Sequence, residues 1–272
     1  MKSRDLLGLT DLHSHLIPGV DDGARTVGDA LEGIGRLWEV GVRTIVTTPH
    51  LDGSLTQRPG ELDLHLEEVA AAWEGLKAAA EKAFPELQLF RGHEVMLDVP
   101  DPVLTDSRVR MAGTPFALVE WPRMRVPPAT KQVLARLGDL GIRIILAHPE
   151  RYQGLDSEGN LAGGWRQMGA LLQVNYGSLV GQYGDGVRKR ALTFLERGWI
   201  DLLSTDFHGR PHLDLYVDEV REAMEEAGGR EQFDVLARQN PSRILSGREI
   251  LPVRPLVVRR GLREKVWDLF RG

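Results

Sequence analysis

The stretch Leu7-Gly8-Leu9-Thr10-Asp11-Leu12-His13-Ser14-His15 opens as a short apolar run and closes on ionisable side chains. A run of that length reads as a strand. Side chains on a strand repeat every two residues, so the imidazoles of His13 and His15 project to one side and can share a metal ion. The pattern recurs at 42–48, 87–91, 116–120, 142–148, 171–175 and 200–205, which gives seven strand candidates in all. Their ends lead into Pro49-His50, His93-Glu94, Glu120, His148 and Asp206-Phe207-His208, so six of the seven carry a metal-type ligand.

Between the strands lie helical stripes. Leu62, Leu66, Val69, Trp73, Leu76, Ala80 and Phe84 are spaced by three and four and draw one apolar face. Ala129, Val133, Leu137 and Leu140, then Val187, Ala191, Phe194 and Leu195, then Val217, Val220, Met224 and Ala227 follow the same rule. Thr26 with Asp29 three residues later reads as a helix start. Strands with continuous apolar character are buried on both faces, and their alternation with helices favours a parallel sheet wrapped by helices. Seven units predict a distorted seven-stranded (β/α)7 TIM-like barrel, an α/β fold with its metal site at the carboxyl ends of the strands. No internal repeat or low-complexity linker marks a boundary, so residues 1–251 are expected to form the barrel. Residues 252–272, rich in arginine beside Leu262, Val266 and Phe270, are expected to form a basic tail packed on or beside it.

Composition removes whole classes of function. The 272 residues carry a formal charge of −5, which offers no net field to a polyanion, so nucleic acid is not the expected partner. No run approaches a membrane span and the start lacks an apolar signal core, so a cytoplasmic protein is expected. There is no cysteine, hence no thiolate metal site and no thiol nucleophile.

Of the eight histidines, only His65 sits on an evidently solvated helix stretch. His13, His15, His50, His148 and His208, with Glu94, Glu120 and Asp206, supply more ligands than one ion can use, which implies two or three ions bridged by carboxylate. Mixed imidazole and carboxylate suits manganese, iron or zinc. Such a cluster generates hydroxide at neutral pH and clamps attacking and leaving oxygens, most often on phosphate esters. Arg151 in His148-Pro149-Glu150-Arg151 and Arg210 near His208 are the candidate phosphate forks. Of the turn pair Asp21 and Asp22, one is expected to be structural and the other, Asp22, to face the metals.

The segment Asp11-Leu12-His13-Ser14-His15-Leu16-Ile17-Pro18-Gly19-Val20-Asp21-Asp22-Gly23-Ala24 resembles the opening motif of the polymerase-and-histidinol-phosphatase (PHP) superfamily, in its branch of bacterial manganese-dependent protein-tyrosine phosphatases of the capsular-polysaccharide type. Thr47-Thr48-Pro49-His50, Gly92-His93-Glu94, Leu118-Val119-Glu120-Trp121-Pro122, Ala147-His148-Pro149-Glu150-Arg151, Gln173-Val174-Asn175-Tyr176-Gly177-Ser178-Leu179 and Thr205-Asp206-Phe207-His208 follow in that family's order, over about residues 9 to 250. The resemblance implies a trinuclear site on His13, His15, His50, Glu94, Glu120, His148, Asp206 and His208. It further implies that Asp22, Arg151 and Arg210 act on the substrate phosphate.

The implied reaction is hydrolysis of phosphotyrosine on protein, typically a bacterial tyrosine kinase that governs exopolysaccharide export. Lacking cysteine, the chain is expected to use metal-bound hydroxide, with Asp22 or a pocket histidine such as His50 assisting the leaving tyrosyl oxygen. The nearest alternative is a small-molecule phosphatase such as histidinol phosphatase, which would want an enclosed pocket. An amidohydrolase would want a lysine near mid-barrel, and none of the six lysines falls at a strand end. A metal-stabilised scaffold without activity is disfavoured by the completeness of the ligand set.

Overall fold

The apolar runs become strands and the three-and-four stripes become helices. The computed structural model describes residues 8–156 and 158–256. In chain order it carries β1 (Leu9–Asp11), α1 (Val27–Glu39), β2 (Val42–Thr47), β3 (His50–Asp52), α2 (Pro59–Ala83), β4 (Gln88–Arg91), β5 (Glu94–Met96), β6 (Phe116–Glu120), α3 (Thr130–Asp139), β7 (Arg143–Ala147), α4 (Asn160–Gln167), β8 (Leu171–Asn175), α5 (Tyr176–Val180), α6 (Asp185–Glu196), β9 (Leu202–Ser204), α7 (Val217–Glu226), α8 (Arg230–Asp234) and α9 (Asn240–Leu245). α1 begins where Thr26 and Asp29 exchange hydrogen bonds: the Thr26 hydroxyl accepts from Asp29 N at 3.1 Å, and the Asp29 carboxylate accepts from Thr26 N at 3.0 Å. α2 buries Leu62, Leu66, Val69, Trp73, Leu76 and Ala80. Each of its large apolar residues contributes roughly 2 kcal/mol by leaving water.

All strand pairs are parallel, in a three-stranded sheet ordered β1-β2-β4 and a six-stranded sheet ordered β3-β5-β6-β7-β8-β9. Among the described residues the expected seven strands are therefore nine, and the expected barrel is not one continuous ladder. Pro49 has no N–H to donate and separates β2 from β3, while Gly92 and His93 separate β4 from β5. The two paths still run side by side through the break: Gly92 N donates to Thr47 O at 3.0 Å, and Glu94 N to Pro49 O at 3.1 Å. Between β1 and β9 the joint is made largely by side chains. Leu12 N donates to the Ser204 hydroxyl, and the buried Asp11 carboxylate accepts from Thr205 N and Oγ1 at 2.9 and 2.6 Å. Beyond the strands the backbone takes over, with Asp206 N donating to His13 O and His15 N to Phe207 O.

Strand parity separates two apolar layers. On β6 Ala117 and Val119 pack against the helices, while Phe116 and Leu118 join Leu12, Val46, Ile145, Ala147 and Leu202 in a second core on the opposite face, with Met111 and Ile244. Residues from β2, β6, β7 and β9, with Leu12 just past β1, thus meet on one inner face. Continuing each strand at the same parity leads from Leu118 to Glu120, from Val46 to His50, from Phe90 to Glu94 and from Leu202 to Asp206.

Of the tail, Val253 and Leu256 are buried, and Leu256 N donates to Leu195 O at 3.2 Å. The remainder of the expected basic tail, including Leu262, Val266 and Phe270, lies outside the described residues.

Candidate metal centre

Eight imidazole and carboxylate side chains, drawn from positions 13 to 208, converge above the inner core. His50, Glu94, Glu120, Asp206 and His208 arrive by strand parity. His148 does not, because parity from Ile144 and Leu146 would send it outward; a left-handed backbone at φ 35° turns it in. Asp206 also sits in the left-handed region, at φ 54°. Such conformations cost on the order of 1 kcal/mol or more in residues with a Cβ, and both fall on ligand positions.

Outer hydrogen bonds fix which imidazole nitrogens face inward. Gln173 Nε2 donates to Asn175 Oδ1 at 2.8 Å, which leaves Gln173 Oε1 to accept from His13 Nδ1 at 2.9 Å. His15 Nδ1 donates to Asp21 Oδ2 at 2.7 Å. Both Nε2 atoms are then lone-pair donors, 3.2 Å from one another. They also face Glu94 Oε2, at 3.1 and 3.4 Å, and Asp206 Oδ1, at 3.4 and 3.5 Å. Two lone pairs and two carboxylates in a buried space repel unless positive charge sits among them, so the donor set fits a cation.

The donor atoms form three overlapping sets, each within 4.8 Å: His13, His15, Glu94 and Asp206; His15, Asp22, His50 and His208; and His50, Glu94 and Glu120. His148 falls in none of the three but lies 2.9 Å from Glu94 Oε1, and its Nδ1 is buried without a partner.

Burial alone would depress the His13 pKa, yet the Glu94 and Asp206 charges outweigh it and carry it up to about 9. His15 is raised for the same reason. Burial works against the ionised Glu94 and Asp206, but the neighbouring imidazoles hold both well below the usual carboxylate range. Glu120 is raised by burial and by the Glu94 charge.

Asp21 and Asp22 divide as neighbours in a turn should. Asp21 points inward and accepts from His15 Nδ1, from His50 N at 3.2 Å and from Gly23 N at 2.9 Å. Gly23 permits this close approach, since a Cβ there would meet His15 O at 2.0 Å. The Asp22 side chain, 60% exposed, faces His50 Nε2 at 3.5 Å and His208 Nε2 at 3.3 Å. Arg210 Nη2 donates to Asp22 O at 2.6 Å, and Arg36 ties down its loop by donating to the carbonyls of Arg210, Pro211 and Leu213. Arg151 Nη1 donates to Asp206 Oδ2 at 2.8 Å. An open cleft of about 330 Å³ exposes this assembly, with Met124, Tyr183 and Leu213 forming apolar parts of its wall.

Three histidines stand apart. His93 is the buried neighbour of Glu94 and faces the other way, with Nδ1 3.2 Å from Arg108 O and its ring beside His65; strand alternation explains the divergence. His65, expected to be solvated, is half-buried with Nε2 shielded from water. His212 is exposed. Sequence reasoning assigned no role to Gln173 or Tyr183. The alternation of Gln173 and Asn175 at the end of β8 was the available signal for the first; Tyr183 offered none.

Residues 9–246 match the family model for capsular polysaccharide synthesis, CpsB/CapC. The tyrosine-protein phosphatase CpsB of Streptococcus agalactiae is 26% identical over 249 residues, covering 89% of this chain and all of that one. A structure from work on YwqE of Bacillus subtilis and CpsB of Streptococcus pneumoniae, described as metal-dependent tyrosine phosphatases, superposes with a TM-score of 0.76 at 26% identity, over 92% of this chain and 100% of the other. An organophosphorus hydrolase from Deinococcus radiodurans shares the fold at a TM-score of 0.51 and 17% identity, over 88% and 93% of the two chains.

Proposed function

Because the chain belongs to the CpsB/CapC family of capsular polysaccharide synthesis, we propose that it is a metal-dependent phosphoesterase that removes phosphate from tyrosine on protein. The observation that carries this reading is the inward convergence of lone-pair nitrogens and carboxylates beside two arginines at one open cleft. On this reading the two sheets act as one distorted seven-membered barrel. His13, His15, His50, Glu94, Glu120, His148, Asp206 and His208 hold two or three ions, manganese first among the candidates. Bound divalent ions supply a nucleophile at neutral pH and positive charge opposite the phosphoryl oxygens.

The chain's own residues do the rest. Arg151 and Arg210 present guanidinium forks to the phosphate, and the Asp206 and Asp22 contacts orient them. On this reading Asp22, at the open rim beside His50, hands a proton to the departing phenol oxygen. A phenolate leaves readily, so this proton matters less for aryl than for alkyl phosphates.

An open mouth supports a protein substrate, probed as a phosphotyrosyl peptide, over a small enclosed one such as histidinol phosphate. The partner on this reading is a bacterial tyrosine kinase tied to exopolysaccharide synthesis, met in the cytoplasm; among the described residues no helix is long and apolar enough to cross a membrane.

Protein purified without chelator is expected to hydrolyse the phosphotyrosyl peptide faster than histidinol phosphate. His13→Ala and Asp206→Ala are each expected to lower kcat by at least about 10³-fold, with the circular dichroism of the fold retained. A preference for histidinol phosphate would overturn the substrate, and unchanged hydrolysis in both variants would overturn the enzyme.

A further inference from the structure

Tyr183 is absent from every ligand set, yet it touches Arg151, which pairs with the metal-facing carboxylate of Asp206. It occupies a tight turn after α5, closed by a hydrogen bond from Gly184 N to Gly181 O at 2.9 Å. Gly181 and Gly184 take φ of 96° and 90°, a conformation that side chains with a Cβ rarely adopt, so the turn fixes where the ring goes. The guanidinium carbon of Arg151 lies 4.2 Å from the centre of the Tyr183 ring. Arg151 donates to Asp206 Oδ2, the same oxygen that accepts from Asn175 Nδ2 at 2.9 Å. Tyr183, Arg151, Asp206 and Asn175 thus form a chain of contacts beside the cleft.

An arginine side chain has several rotatable bonds, and a single hydrogen bond to Asp206 would leave its plane free to swing. An aromatic face removes that freedom. We infer that Tyr183 is the positioning residue of the site: its ring holds Arg151 flat, with one edge on Asp206 and the remaining N–H groups turned to the cleft for a phosphoryl oxygen. The inference rests on the phosphoesterase reading above and adds to it a residue that contacts neither ion nor reacting atoms.

The test compares Tyr183→Leu and Tyr183→Phe in the parent and in Arg151→Lys, all metal-loaded. Three quantities are measured: kcat and KM on a phosphotyrosyl peptide, the affinity for inorganic phosphate by calorimetry, and metal content. Losing the stacked ring in Tyr183→Leu is expected to lower kcat/KM roughly tenfold and to weaken phosphate binding in parallel. Metal content should not change. Tyr183→Phe keeps the ring and is expected to retain at least about a third of the parent kcat/KM. In the Arg151→Lys background, Tyr183→Leu should add less than about twofold, because the group it positions is gone. Equal losses in both backgrounds, equal behaviour of the Phe and Leu variants, or undiminished phosphate affinity in Tyr183→Leu would each overturn the inference. If the parent proved inactive on phosphotyrosine, the function would fall while phosphate affinity still decided the role of Tyr183.

Discussion

A single carboxylate decides which nitrogen of His15 faces the ions. Asp21 Oδ2 accepts from His15 Nδ1 and also from His50 N, so it orients one imidazole and the backbone of another. Contact with His15 holds its acid well below the usual range, at about 2. Asp21→Asn keeps the shape but puts an amide where a charged acceptor stood. Metal affinity is expected to fall by about 10- to 100-fold, with kcat restored as metal is raised. Competition with a fluorescent chelator measures this, and parent-like affinity would return Asp21 to a simple turn residue. The sequence made the Asp21-Asp22 pair visible and could not say which faced where. That assignment depends on Gly23 pressing against His15 O, a contact made only once the turn has folded back on β1.

Among elements, β8 ends without an ionisable ligand and instead supplies the polar chain of Gln173 and Asn175 behind the imidazoles. Its opposite end is held by Asp201, which leads into β9. The Asp201 carboxylate accepts from Leu172 N at 2.8 Å and pairs with Arg166 of α4 at 3.1 Å, while its carbonyl accepts from Asn240 of α9. Burial nonetheless pushes its acid up to about 6. The native state therefore binds this proton more tightly than the unfolded chain, whose pKa is near 3.8. The associated stability is full below about pH 4 and is lost as pH rises through 6, on the order of 3 kcal/mol in all, of which about 2 falls between pH 4 and 6. Urea unfolding of Asp201→Asn between pH 4 and 6 should show a flatter dependence than the parent by about that amount. Parallel curves would place the titration elsewhere. The nine strands in place of seven belong to this scale too, since Pro49 was readable as a residue that cannot donate, but not as the point where two neighbouring paths shift sheets together.

For the molecule as a whole, cations at the centre and the fold around it should stabilise one another. Chelation is expected to lower Tm, and ions at about a hundred times Kd to restore roughly 2.7 kcal/mol. Protons can replace the ions in part, because Glu94 and Asp206 raise His13 to about 9. Raised in the folded state, it contributes stability that is present below about pH 6.5 and lost as pH climbs through 9. Chelated protein should accordingly lose Tm between pH 6.5 and 9 more steeply than loaded protein, as scanning calorimetry would show; equal slopes would mean the imidazoles are not gathered around a shared charge. By itself the sequence determined the parallel α/β class, because apolar runs and three-and-four stripes are set by local periodicity. It also determined the ligand types, because His, Asp and Glu at strand ends need no geometry to be counted. Only the tertiary structure decided that His93 turns away while Glu94 turns in, that a left-handed backbone rotates His148 inward, and that Tyr183 lies under Arg151. Each of those depends on which distant side chain occupies the neighbouring space, and periodicity along one chain carries no record of contacts made across it.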